Sequence, residues 1–367
     1  MKPLSHSERK SLIPHLHRTA AAIEQILEAG LTTASDATHQ SFAVTFQEAA
    51  RLKLLRLGST LRNTQEEIAR FVKDDPRFSQ PRLMFFLNRS WLLCKGIEQS
   101  LDDGDDARLE QLFGTPAAKK IDTLRVVCLG VIKKIAAGTF CSFEFRLRSL
   151  DDGEYWTWST VFPLRPGLEI PPEGFLHIPQ KQKFSANLFL ERQPIEITSA
   201  MAGETPLGHR KLQLTNESTV SAVEGSIDWT RYLHWKPAGA RQRITQHEIS
   251  PFDVDVELQE EVMFDDYMLR SAELRESDNQ HVFPLNYLGT EFDVVVADSV
   301  EGESAKAALE AQVEKDDPPP LYGVLHYAKA RLVVQPLTLF DDGQPNYITI
   351  SEKAVDRKAL LSVLNFR

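Results

Sequence analysis

The chain has 367 residues, 42% hydrophobic and 26% charged, with 42 basic against 52 acidic side chains and a net charge of −10. That composition is ordinary for a globular protein and long enough for two or three domains, each with its own core. Three scattered cysteines with no CxxC spacing fit buried thiols in a reducing compartment better than a disulfide framework or a zinc site, and the longest apolar runs, such as "LMFFL" and "DVVVA", are far too short to cross a bilayer.

The first third reads as helix. In "LIPHLHRTAAAIEQILEAGL", Leu12, Leu16, Ala20, Ile23 and Leu27 form one stripe at spacings of three and four, and Gly30 is a natural stop. The stripe continues through Phe46, Ala50, Leu54, Leu57, Leu61, Ile68 and Phe71 until "DDP" at 74–76 ends it. A third, more apolar helix opens at Pro81 and closes at "DDGDD". Residues 1–118 are therefore expected to form an antiparallel helical bundle.

From about residue 121 the hydrophobic period changes to two. "TFCSFEFRLRSL" alternates Phe143, Phe145 and Leu147 with Glu144, Arg146 and Arg148, the pattern of a half-buried strand. "DDG" at 151–153 is a tight-turn signal leading into "EYWTWSTVF". Strand-like runs recur to the end of the chain, and only "GESAKAALEAQVEK" looks helical among them. The expected class is α+β: the bundle, then one or two antiparallel β-barrel or sandwich domains at 121–250 and 251–367.

A segment beginning at Gly130 and another beginning at Gly323 both run glycine, strand, turn, strand, "DDG" turn, strand. Such a three-strand meander opens many five-stranded barrels, the OB type among them, so 121–250 is an OB-like candidate.

Charge divides the chain unequally. Residues 1–120 carry a net +2, 121–250 a net +1 and 251–367 a net −13. The last third should repel nucleic acid, while the rest is electrostatically free to approach it.

Candidate sites follow from these patterns. For nucleic acid, Lys133, Lys134, Arg146 and Arg148 could neutralise phosphates and Tyr155 could stack a base, with Trp156 and Trp158 on the opposite, inward face. In "DWTRYLHWKPAGARQR", a strand over 228–236 would turn Trp229, Arg231, Leu233 and Trp235 inward. It would leave Tyr232, His234 and Lys236 outward beside Arg241 and Arg243. For a metal, Asp253, Asp255 and Glu257 share a strand face, but same-face residues lie roughly 6.5–7 Å apart, too far for one compact shell. The ten histidines form no ligand cluster, and no GxSxG, GxxxxGK[ST] or GxGxxG motif occurs.

No cofactor is indicated and catalysis is not expected. The reading that these features favour is a non-enzymatic accessory or scaffold subunit of a cytoplasmic assembly, docking a basic protein partner on its acidic C-terminal third. The alternative is a single-stranded nucleic-acid binder using the central β domain, and a second is a metal-assisted hydrolase built on the Asp253 face. "MKPLSHSERK" leads into no apolar signal core, so neither secretion nor a membrane partner is expected.

Overall fold

The computed structural model describes residues 6–31, 36–114, 118–136, 140–164, 171–204, 210–225, 227–232, 259–328 and 331–351. They belong to an α+β protein whose two compact units divide near residue 117.

The helical unit contains α1 (His6–Ala29), α2 (Asp36–Arg51), α3 (Leu55–Val72), α4 (Gln80–Asp103) and α5 (Asp106–Phe113). Leu12, Leu16, Ala20 and Ile23 are buried on α1 as their spacing requires, against Leu57, Leu61 and Ile68 of α3 and Leu83, Leu87 and Ile97 of α4. The stripe read through Ala50 and Leu54 is broken, because Lys53 takes a left-handed φ of 60° between α2 and α3. That break shifts the helical phase, so Ala49 is buried and Ala50 is exposed. Ser79 caps α4 by accepting from the Arg82 amide, and Asp105 caps α5 through the Arg108 amide at 3.0 Å.

The β unit is a pair of barrels of one topology. The first contains β1 (Lys119–Ala136), β2 (Phe140–Ser149), β3 (Tyr155–Pro163), β4 (Ile195–Glu204), β5 (Arg210–Gln213) and β6 (Thr219–Ala222). Its strand order is β1-β2-β3-β5-β4, closed by β4 pairing with β1, and β5 runs parallel to β3. The long first strand serves both seams: residues 119–126 pair with β4 and residues 126–136 with β2. This Greek-key closure is that of an OB barrel. Phe145, Trp158 and Phe189 fill it with ring centroids 5.0–5.3 Å apart, Phe189 coming from the β3–β4 connection.

The second barrel contains β7 (Gln259–Phe264), β8 (Tyr267–Leu269), β9 (Glu273–Arg275), β10 (Gln280–Tyr287), β11 (Thr290–Ala297), α6 (Glu303–Glu310), β12 (Leu321–Ala328), β13 (Arg331–Asp341) and β14 (Gln344–Asn346). Here β7 and β8 act as one bent first strand, β7 pairing with β12 and β8 with β10. The order then runs β10, β11, β13, β12, again with the third and fifth strands parallel. The glycine-to-"DDG" echo thus pairs strands that are not equivalent. In the first barrel it spans the first three strands, and in the second it starts at the fourth. Both turns are real, with Gly153 and Gly343 each at φ 71°, but the repeated unit is the whole barrel.

A shared core joins the barrels. On β1, Val126, Cys128 and Val131 point into the first barrel, while Val127, Leu129 and Ile132 pack against Met263, Tyr322, Val324, Leu337 and Phe340 of the second. A bulge between Cys128 and Gly130 makes this possible by changing which residues of β1 face inward. Hydrogen bonds cross the seam: Thr338 Oγ1 donates to the Leu129 carbonyl at 2.7 Å, Tyr347 Oη to that of Cys128 at 3.0 Å, and Thr349 Oγ1 to that of Val131 at 2.7 Å.

Candidate functional site

In an OB-type barrel the second and third strands, with the adjoining loops, form the face used for oligonucleotides and oligosaccharides. In the first barrel, Cys141, Phe143, Phe145 and Leu147 of β2 and Trp156, Trp158 and Phe162 of β3 belong to the core. Period-two alternation therefore turns Ser142, Glu144, Arg146 and Arg148 outward, beside Val161, Ser159, Thr157 and Tyr155 in register. Tyr155 is 43% exposed and Val161 62% exposed, and Phe140 at the start of β2 leaves 37% of its surface in solvent.

The basic residues of this face differ sharply in their surroundings. The Arg148 guanidinium lies over the Tyr155 ring, 3.6 Å from its centroid, a cation–π stack that fixes the tyrosine from one side. Arg146, only two residues away, is buried at 3% exposure. Its Nη2 lies 2.6 Å from Glu144 Oε1 and donates to Gln259 Oε1 at 2.7 Å, and its Nη1 is 3.7 Å from Glu261 of the second barrel. Arg146 therefore ties the barrels together and does not offer a free charge to phosphate. Burial pushes the Glu261 carboxyl above its ordinary value, against the opposing pull of Arg146 and the Tyr322 hydroxyl that it accepts from.

Lys133 is likewise turned to structure, its Nζ 2.7 Å from Glu173 Oε1 with both side chains nearly buried. Lys134 is exposed. Trp229–Tyr232 is a single helical turn and not the strand that alternation suggested. Residues three apart share a side of such a turn. Tyr232 consequently sits beside the buried Trp229, ring centroids 6.3 Å apart, and Trp229 packs on Phe340 at 5.7 Å. Lys236, Arg241, Arg243, Asp253, Asp255 and Glu257 lie outside the described residues.

Two further basic residues reach the same edge from β5. Arg210 and Lys211 pair with Trp156 and Thr157, and Arg210 lies 5.3 Å from the Trp156 ring centroid, within ion-pair reach of Asp152 and Glu154. Sequence reading missed both, because parallel pairing of β3 with β5 joins positions more than fifty residues apart. Only the barrel's strand order reveals it.

No family model matches this chain and no curated protein matches it in sequence. Solved structures do resemble it. One is the Ifi202 HINa domain in complex with 20bp dsDNA, with 11% identity, a TM-score of 0.28, and coverage of 60% of this chain and 94% of that one. Another is a replication protein A heterotrimer bound to ssDNA, with 12% identity, a TM-score of 0.29, and coverage of 60% and 49%. A third is the single-stranded DNA binding protein from Thermus aquaticus, with 10% identity, a TM-score of 0.15, and coverage of 60% and 90%.

The scaffold expectation is corrected: the face that the closed barrel offers is built from the outward side chains of β2 and β3, with Tyr155 exposed on Arg148. It had rested on absent motifs and on net charge, and neither reports what a folded face presents. The barrel assignment itself stands on strand order. Among the described residues, no helix is long and apolar enough to cross a membrane.

Proposed function

We propose that this protein binds single-stranded nucleic acid on the outward face of β2 and β3 in the first barrel. The observation that carries the reading is the Arg148–Tyr155 stack on that face of a closed five-stranded barrel. A ring seated on a guanidinium is held in one orientation and keeps its other face for a base. Such stacking accepts any base and contributes about 1–3 kcal/mol per base. Arg210, Lys211 and Lys134 lie along the barrel's margins as candidate backbone partners. Phe140 and Val161 extend the apolar surface away from Tyr155. Because the ring faces are reachable only by unstacked bases, the face suits a single strand better than a duplex.

Fluorescence anisotropy with a labelled 20-nucleotide strand and the matching duplex tests this. The expected result is salt-sensitive binding of the single strand, weaker binding of the duplex, and a loss of roughly 5- to 100-fold with Tyr155→Ala. Equal affinity of the Tyr155→Ala variant, or a preference for the duplex, would overturn the reading.

A further inference from the structure

Strand register lays out the outward face of the first barrel row by row. Lys134 of β1 pairs with Ser142 of β2, and Ser142 with Val161 of β3. In the rows on either side, Glu144 faces Ser159 and Phe140 faces Pro163. Cross-strand neighbours stand about 4.5–5.5 Å apart and same-face neighbours along a strand roughly 6.5–7 Å, so these side chains form one patch. The patch is open: Lys134, Ser159 and Val161 are exposed, and Phe140 keeps 37% of its surface in solvent. Tyr155 lies four residues from Ser159 on β3, roughly 13 Å away. Between them is the Arg146–Thr157 row, in which both residues are buried and Gln259 of the second barrel accepts from Arg146. The open face is therefore divided into two seats, Tyr155 at one and Phe140 with Val161 at the other.

Glu144 gives the second seat a chemistry that the first lacks. Its Oε1 lies 2.6 Å from Arg146 Nη2, which fixes the carboxylate in place. Its Oε2 accepts from the Ser159 hydroxyl at 3.5 Å, the limit of a hydrogen bond, and the Glu144 side chain is 29% exposed. A carboxylate has about four lone-pair sites, so acceptor capacity remains on the open side. A fixed carboxylate repels phosphate and can only accept, and in a single strand the donors it can meet are the N–H groups of base edges. Cytosine offers its N4 amine, whereas uracil and thymine present a carbonyl oxygen at that position. Their one donor on that edge, N3–H, is flanked by two carbonyl oxygens that a carboxylate repels. Lys134 stands at the β1 margin, one row from Glu144, as the cation for the backbone.

We infer that Glu144 reads the edge of a base laid on Phe140 and Val161, selecting amine-bearing cytosine over uracil or thymine, with the adjoining phosphate on Lys134. This rests on the single-strand reading and adds to it a second seat and a base preference.

The test compares labelled oligo-dC and oligo-dU of equal length by anisotropy at neutral pH, since the two differ in their hydrogen-bonding edge and hardly in size. The wild type should prefer oligo-dC by about 5- to 10-fold, the low end of base discrimination because one oxygen does the reading. Glu144→Gln should bring the ratio of the two affinities close to one, whatever it does to both by loosening Arg146. Lys134→Gln should keep the ratio and flatten the slope of log affinity against log salt by about 0.7, the value for one phosphate on a single strand. Circular dichroism checks folding. If Glu144→Gln is unfolded, Glu144→Asp replaces it, keeping the charge beside Arg146 but withdrawing the oxygen, and should also lower the ratio. If the wild type binds both strands equally and through Tyr155, or if the oligo-dC preference persists without Glu144, base reading is wrong and the single-strand reading survives. A Glu144-dependent preference in a protein whose binding ignores Tyr155 would keep this seat and overturn the first. Binding of neither strand overturns both.

Discussion

Replacing Gly130 by alanine tests whether the two barrels are held by a tightly packed seam. A β-carbon built on Gly130 would lie 2.9 Å from Leu337 Cβ, 2.9 Å from Tyr322 Cε1 and 3.0 Å from Leu337 Cδ1. Carbon atoms pack best at about 3.5–4.0 Å, so all three approaches are too close by at least half an ångström. Neither neighbour can yield easily. Leu337 is fully buried, and the Tyr322 ring is tethered through its hydroxyl to Glu261. Overpacking of this kind costs about 1–3 kcal/mol. Removing a glycine from the unfolded chain offsets about 0.4–1 kcal/mol of that. The net expectation is a loss of roughly 1–2 kcal/mol, and for a unit of this size a fall of about 2–4 °C in Tm per kcal/mol. Scanning calorimetry measures it. Gly58→Ala in α3 is the control of opposite sign, since its new β-carbon would meet nothing closer than 3.8 Å and the helix gains up to about 1 kcal/mol. A Gly130→Ala protein as stable as the wild type would refute the close-packed seam.

Three further predictions follow from buried polar groups. Tyr347→Phe should destabilise the β unit by about 1–3 kcal/mol in urea titrations, because the Cys128 carbonyl that accepts its hydroxyl is left unmet inside the protein. Cys94, Cys128 and Cys141 are buried, with thiols pushed up to about 12, so a thiol reagent at pH 8 should label them only after unfolding. Burial raises the Glu261 carboxyl, so the folded state holds its proton more tightly than the unfolded one. Its contribution to stability is then full below about pH 4.5 and is lost as pH rises through the higher folded value. Stability measured from pH 4 to 8 should therefore shift in favour of Glu261→Gln as pH rises, and a difference independent of pH would contradict the raised value.

How far the sequence could be read depended on whether each pattern was local. The α1 stripe and the alternation of Phe143, Phe145 and Leu147 were legible because one face of each element is buried. The same rule placed Trp156 and Trp158 inside and Tyr155 outside. The run "VVCLGVI" at 126–132 was opaque for the opposite reason. Both of its faces are buried and the bulge at Cys128/Gly130 changes their phase, so no period survives in the letters. Charge letters misled at Lys133 and Arg146, whose partners Glu173 and Glu261 come from distant segments that only the fold brings near. The turn at Trp229–Tyr232 was read as a strand since four residues are too few to separate a period of two from one of three.

The second barrel shows why topology alone does not locate the site. Its β10 and β11 stand where β2 and β3 stand in the first, with Phe283, Leu285, Tyr287, Phe292, Val294 and Val296 turned into the core. The outward partners in register are Gln280 with Ala297, Val282 with Val295, Pro284 with Asp293 and Asn286 with Glu291. No outward ring lies among these partners, and Asp293 already holds Arg275 and Arg331, each at 3.1 Å. The same fold thus presents an exposed ring seated on a guanidinium in one copy and ion-paired and apolar side chains in the other, so function follows the side chains grafted on it. The net −13 over 251–367 would add long-range repulsion of a phosphate backbone near that copy. A strand on the Tyr155 face would meet that repulsion just past the seam, which confines it to a one-barrel footprint, within the roughly 4–16 nucleotides that a single OB fold covers.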